Sequence, residues 1–530
     1  MMREVVDARR FLRRLPVYYR YPIQREEARR ILRHRLERRE ADFLALAKGA
    51  IYDNAASPYR ELLRLAGCEE GDLSRLVRDE GVEGALRTLC RQGVYLTVDE
   101  FKGRRPVVRG GATIPLDAGR LRNPLAAFHL PSQTSGSRGA SRHVPVDLEC
   151  IRDRAVNTFL TLDARGGGDW VKGIWGMSTG ALGLAIRFSG FGAPAARCFV
   201  LIDPATPGLP WRYRWSARLL RATTALYGLP LPRAEHVPLD DPGLILRWMT
   251  QALRAGQTPH LWTFVSPAVR LCRAAFEAGL DIRGARFTVT GEPVTSARLA
   301  AIHRAGAEAM VDYGSAETGF LAHGCLAPRH PDEVHVFQDL HALIQAGPAE
   351  IGPGLPVGAL LVSSLRASAP LICLNVSMGD LAEMEERACD CPLERLGWTT
   401  HLHSIRSFEK LTAGGMTFLD TEIMRVLEEV LPERFGGGPT DYQVLEEEGD
   451  DGSASVRLLV HPAIGPLDDR AVAHVFLAAI SQGAGASRAM ALHWRASRLL
   501  RVERRPPLAT ATGKILHLHQ RRRATVPMSD

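Results

Sequence analysis

No apolar run in the 530 residues reaches the roughly 20-residue length that a transmembrane helix needs, so no membrane partner is expected. The start, Met1-Met2-Arg3-Glu4, lacks the apolar core of a secretory signal, and a cytoplasmic location is expected. Cysteine is sparse. Nine residues, an odd number spread along a long chain, do not make a disulfide framework and read as reduced, mostly buried thiols. Only Cys389-Asp390-Cys391 is clustered enough to need another explanation. There is no internal repeat of solenoid period and no long low-complexity tract, which removes repeat architectures from consideration. No nucleic-acid recognition motif accompanies the basic charge, so no nucleic-acid partner is expected.

What is present is the composition of an ordinary globular protein, 45% hydrophobic and 24% charged, in a chain too long for one core. The net charge is +8 and Arg dominates the basic residues, with clusters at Arg29–Arg39, Arg501–Arg505 and Arg521–Arg523. A basic balance suits anionic ligands. The first cluster alternates with Glu26, Glu27, Glu37 and Glu40 and reads as the solvated face of an amphipathic helix.

Three stretches differ in pattern. Residues 1–125 read as mostly helical, with helices over 24–48 and 72–92, and end near the turn Arg109-Gly110-Gly111. In 126–405 short apolar runs at Gly173–Met177, Cys198–Ile202, Leu261–Val265, Phe287–Val289 and Ala309–Val311 are each followed by turn residues and a helical stretch, an α/β alternation. Further strands are expected at Val357–Ser364 and Leu371–Val376. A small α+β unit is expected over 406–530, with helices at Thr421–Val430 and Asp468–Ile480 and strands at Tyr442–Leu445 and Val456–Val460.

Five segments carry chemistry. Thr134-Ser135-Gly136-Ser137-Arg138-Gly139 packs three hydroxyls, two glycines and a cation into six residues, so its amides can turn inward around phosphate oxygens. Two turns follow successive strands, Gly291-Glu292-Pro293 and Asp312-Tyr313-Gly314-Ser315-Ala316-Glu317. Tyr beside Gly lets an aromatic face lie on a purine, and the carboxylate of Glu317, four residues on, suits Mg²⁺. Asp380, in Met378-Gly379-Asp380-Leu381, can accept both hydroxyls of a ribose. Last comes Lys514, on the turn Thr512-Gly513-Lys514.

In order and spacing these segments resemble those of the ANL superfamily of adenylate-forming enzymes, over about 130–516. The resemblance implies a large N-terminal domain of layered α/β subdomains and a small mobile C-terminal domain. There are departures: Arg138 stands where Thr is usual, Ser141-Arg142 where Pro-Lys is usual, and Ala316 where a Thr would contact the α-phosphate. Arg406 matches the Arg of the hinge motif, but Phe408-Glu409 replace its paired Asp residues. Pro370-Leu371-Ile372 and the Cys-x-Cys are similar to the phenylacetate-CoA ligase branch, although Leu374-Asn375-Val376 replaces the branch's Arg-Tyr-Arg. That branch implies a structural Zn²⁺ on Cys325, His335, Cys389 and Cys391, with His323, His401 and His403 as alternative ligands.

The activity implied is formation of acyl-AMP from Mg·ATP and a small-molecule carboxylic acid, with Lys514 as the catalytic cation and Glu317 holding Mg²⁺. The acyl group would then pass to CoA. The acid pocket is expected around Trp262, Phe264 and Ser266. Two alternatives stand beside this: transfer to an amine, a hydroxyl or a carrier-protein thiol, and a catalytically inactive nucleotide-binding protein. The identity of the acid, the acceptor and the oligomeric state, homodimer or otherwise, stay open.

Overall fold

The computed structural model describes residues 11, 14–116, 119–126, 130–133, 143–176, 178–201, 203, 221–222, 224–225, 231–350, 352, 354–408, 412–413, 416–417, 420–448, 454–482, 494, 500–510 and 513–521. The chain is a mixed α/β protein and divides into two compact units. The first comprises Met1–Thr263, Gly284–Gly291 and Ala309–Ile405; the second comprises Phe264–Arg283, Glu292–Glu308 and Arg406–Asp530. No sequence signal assigned Phe264–Arg283 or Glu292–Glu308 to the C-terminal part.

Among the described residues the first unit is built on a twelve-stranded sheet. Edge to edge it runs His341–Gln345, Ala359–Ser364, Val376–Glu386, Thr400–Ser407, Val334–Val336, Gly319–Gly324, Glu308–Ser315, Arg286–Thr290, Pro259–Phe264, Val171–Gly176, Arg197–Val200 and Ala234–His236. The last four strands pair in parallel. Their helical connections are those of crossover units, which suits the unbroken burial of Ile174, Trp175 and Leu261. The other half contains antiparallel hairpins, including Glu308–Ser315 against Gly319–Gly324.

Helices Arg25–Glu37 and Leu148–Ala164 cover this unit's core. Asp147 caps the second by accepting from the Cys150 amide at 2.6 Å. The helix Glu70–Arg91 is broken at Gly81, whose φ of 70° is left-handed.

The run Leu371–Val376 forms a strand only from Val376 onwards. Leu371–Asn375 is buried without a ladder of its own because Asn375, at φ 50°, turns the chain aside. Its side-chain amide donates to the Leu86 and Val94 carbonyls at 2.8 and 3.1 Å and so ties the segment to the helical N-terminal section.

In the second unit four strands lie in the order Leu500–Arg504, Ala454–Val460, Tyr442–Glu448, Leu518–Arg521. The central pair is antiparallel and the outer two pairs are parallel. Helix Asp469–Ser481 packs Phe476 and Ile480 into a core with Val444, Leu458 and Trp494. The expected helix at Thr421–Val430 is a helix to Arg425 followed by a wider π turn over Val426–Val430.

Candidate active site and metal centre

In the first unit the hairpin at Glu308–Gly324 presents the motif residues. Gly314 lies where the two strands close in, and a Cβ there would collide with the Gly319 carbonyl oxygen. The turn between the strands is fastened by Ser315, whose Oγ accepts the Thr318 amide at 3.2 Å and lies 3.1 Å from the Thr318 hydroxyl. Glu317 caps this turn at 9% exposure. It makes no hydrogen bond or ion pair with another described side chain, and it lines a small cavity with Thr318, His341 and Ser364. A carboxylate without a protein partner at the wall of a cavity is a suitable ligand for a hard cation.

Tyr313 donates its hydroxyl to Asp380 Oδ2 at 2.9 Å, so the purine-facing and ribose-binding candidates, far apart in sequence, stand side by side. Gly379 at φ 89° sets Asp380 at a bend in its strand, and its amide donates to Ser377 Oγ at 3.2 Å. Asp312 is turned the other way. It is buried against His323, its cross-strand partner, at 2.5 Å, and desolvation pushes its carboxyl above the usual range.

Trp262 sits in the first unit's core, stacked on Phe320 with centroids 5.3 Å apart, and its indole N–H is buried without a partner. Phe264 and Ser266 belong to the second unit. The Lys514 ammonium lies 5.0 Å from the centre of the Phe264 ring, a cation–π distance. Its turn is closed by Thr510, which exchanges backbone hydrogen bonds with Gly513 and Lys514 at 2.8 Å, and Gly513 supplies a φ of 83°. The Ile515 amide donates to Ser266 Oγ at 3.4 Å. Ser266 in turn donates its amide to Glu292 Oε1 at 3.1 Å and its hydroxyl to Oε2.

Two residues that the sequence did not single out organise this turn. Gln443, fully buried, grips both ends of the loop: its amide donates to the Leu508 and Leu516 carbonyls at 3.0 and 2.7 Å and accepts from Leu508 N–H at 2.7 Å. Arg298, 1% exposed, donates to Glu428 at 2.6 Å and to Glu292 at 3.2 Å. Both look like ordinary polar surface residues in a linear reading. Arg406 lies in the strand Thr400–Ser407. Thr134, Ser135, Gly136, Ser137, Arg138, Gly139 and Arg142 lie outside the described residues.

Cys325, His335, Cys389 and Cys391 converge, with ligand atoms all within 4.8 Å of one another. His335 Nδ1 lies 2.7 Å from the Trp398 carbonyl, which can only accept, so Nδ1 carries the proton and the Nε2 lone pair is available. Nε2 stands 3.5 Å from Cys389 Sγ and 3.2 Å from Cys391 Sγ. A tetrahedral ion with Zn–N of about 2.0 Å and Zn–S of about 2.3 Å separates such ligands by about 3.5 Å. The donor set and its spacing therefore fit zinc. Of the alternative ligands, His401 Nδ1 bonds Glu333 at 2.7 Å, His403 stacks on His330 at 3.9 Å, and His323 is held by Asp312. Cys325, Glu333 and His401 form a second, overlapping group.

No family model matches the sequence, and no curated protein matches it. Solved structures with a related arrangement do. A 2-hydroxyisobutyryl-CoA ligase, in complex with 2-HIB-AMP and CoA in its thioesterification state, is 16% identical over 92% of this chain and 89% of its own, at a TM-score of 0.47. The anthranilate CoA ligase AuaEII with anthranoyl-AMP is 13% identical over 87% of this chain and 79% of its own, at 0.45. The O-succinylbenzoate coenzyme A synthetase of Bacillus subtilis, with ATP and magnesium ion, is 12% identical over 74% of this chain and 70% of its own, at 0.41. At scores below 0.5 the likeness is loose, and the chemistry of this chain has to come from its own side chains. No helix among the described residues is long and apolar enough to cross a membrane.

Proposed function

We propose that the chain is an AMP-forming ligase that activates a carboxylic acid with ATP and passes the acyl group to the thiol of CoA. The observation that carries this reading is the Tyr313–Asp380 hydrogen bond at 2.9 Å, with the unpaired, nearly buried Glu317 on the adjoining turn. Tyr313 would face the adenine and Asp380 the ribose hydroxyls, while the Thr134–Gly139 loop, Arg142 and the Gly291–Pro293 turn would complete the nucleotide site. Mg²⁺ on Glu317 would shield the phosphates.

In the first half-reaction a carboxylate oxygen of the acid attacks the α-phosphorus and pyrophosphate leaves. Lys514 would stabilise the charge that builds on the transferring group. In the second, a thiolate attacks the acyl carbon and AMP leaves, after Arg406 has served as the pivot that takes Lys514 out of the way. Zinc on Cys325, His335, Cys389 and Cys391 would be structural, since it would be fully ligated and tie the segment after the Glu317 hairpin to that after Asp380. Cytoplasmic residence would suit this chemistry, which uses soluble ATP and CoA.

Pyrophosphate exchange over a panel of carboxylic acids tests the first half, with CoA, amines and a carrier protein as acceptors for the second. Magnesium-dependent exchange that disappears in Glu317→Ala is the expected result. Normal exchange in that variant removes the magnesium role, and no exchange with any acid removes the ligase reading.

A further inference from the structure

A cavity of about 620 Å³, within the range of small-ligand sites, opens in the first unit between helix Arg25–Glu37, the start of helix Leu148–Ala164 and Arg366. Its inner arginines are neutralised. Arg35, 4% exposed, bonds Asp153 Oδ1 at 2.5 Å and Asp339 Oδ2 at 3.3 Å; Arg152 bonds Glu27 at 3.2 Å; and Arg366 bonds Asp42. The acids inside the wall are thereby used up, since the second oxygen of Asp153 accepts from Ser368.

Arg30 and Arg33 differ from these. They stand three residues apart on one helix face at the cavity wall, both exposed, and neither pairs with an acid among the described residues. Only Glu37 adds an unpaired negative charge to the lining, so the space carries net positive charge. Two guanidinium forks beside the half-buried side chain of Ile31 match the chemistry of a nucleotide: planar donors for phosphate oxygens and an apolar edge for a base. The arginine run that reads in sequence as a solvated helix face thus has one edge turned to a concave wall.

The same wall has a second side. Asp153 and Arg366 also line the small cavity that holds Glu317 and Thr318, so the two spaces meet at this ion-paired partition.

We propose that the cavity is a binding site for a nucleotide bearing two phosphate groups on its ribose, held by Arg30 and Arg33. Two sources share that chemistry: the nucleotide end of CoA and a free bisphosphorylated nucleotide. Only the first source rests on the ligase reading; the site does not.

Isothermal titration of the full chain with adenosine 3′,5′-bisphosphate tests the site without any turnover. Binding that weakens with added salt is expected in the native chain, together with a loss on the order of a hundredfold in Arg30→Glu/Arg33→Glu, about tenfold for each charged contact. Arg30→Gln/Arg33→Gln, which places no new acids on the helix, should lose at least tenfold. The absence of binding to the native chain overturns the proposal, and so does equal affinity in both folded variants. Titration with CoA separates the sources. A parallel loss of CoA affinity identifies the acceptor's nucleotide as the ligand, and unchanged CoA affinity with lost bisphosphate binding identifies the free nucleotide. Pyrophosphate exchange, which uses neither arginine, should be unchanged in both variants, so a failure of the ligase reading appears there and not in the titration.

Discussion

Replacing Arg298 with Met should strongly destabilise the second unit. Arg298 is buried, with Nε on Glu428 at 2.6 Å and Nη1 on Glu292 at 3.2 Å, and both glutamates are at most 1% exposed. Removing one partner of a buried ion pair costs about 3–5 kcal/mol, because the charge left behind is neither solvated nor paired. Here two carboxylates are left. Each keeps some help, Glu428 from His517 at 2.6 Å and from the Thr295 hydroxyl, Glu292 from Ser266, which places the expected cost towards the lower end of that range.

Urea denaturation followed by tryptophan fluorescence measures the cost, and hydrogen exchange over 426–430 and 513–517 locates it. The second segment is included because Arg298 also lies 3.5 Å from the Ile515 carbonyl and 3.2 Å from His517, on either side of the residue following Lys514's neighbour. Combining Arg298→Met with Glu428→Gln should recover part of the loss, with a coupling of about 1–3 kcal/mol.

The cluster also sets a pH dependence. Burial alone would lift the Glu428 carboxyl, but Arg298 and His517 outweigh it and hold it at about 2, against an ordinary 4.5. A depressed carboxylate contributes stability that is fully present above about pH 4.5 and is lost as pH falls towards 2, on the order of 3 kcal/mol in all. An Arg298→Met chain within about 0.5 kcal/mol of the native one, with additive double-variant behaviour, would refute this account of the cluster.

Lys514→Ala should lower acyl-AMP formation on the order of 10²–10³-fold and leave transfer from supplied acyl-AMP unchanged, as quenched-flow assays of the separate half-reactions would reveal; equal losses in both count against a cation that acts in one step. Elemental analysis should find about one zinc per chain, lost in Cys391→Ala and His335→Ala, and a metal-free chain of unaltered melting temperature would end the structural-zinc reading. Gly314→Ala should cost about 1–3 kcal/mol, because the new methyl meets backbone rather than a movable side chain; an unchanged denaturation midpoint would mean that the hairpin can open there at no cost.

The sequence by itself determined the class of fold and marked two of the bends within the motifs. Alternating strands and helices are short-range patterns, and the runs at Gly173–Met177, Cys198–Ile202 and Phe287–Val289 needed only apolar residues between turn formers to be legible. Gly379 and Gly513 mark bends that any chain would have to make there, and both take positive φ. Short strands such as Val334–Val336 and Ala234–His236 were not legible, since three residues carry too little pattern and their pairing is supplied by neighbours.

The tertiary structure alone decided which polar residues meet. Tyr313 and Asp380 share a hydrogen bond across 67 positions, and Arg298 joins Glu428 across 130. In the linear chain Arg298 and Glu428 are indistinguishable from charges on a solvated helix. Burial is what turns them into a cluster: once the surrounding apolar faces exclude water, a charge has to find its counterion, and the fold determines which distant segment provides it. The reverse holds for Arg30 and Arg33, where the pattern of a solvated face was legible and the concavity beside it was not, because a cavity belongs to several elements at once and to none of their sequences.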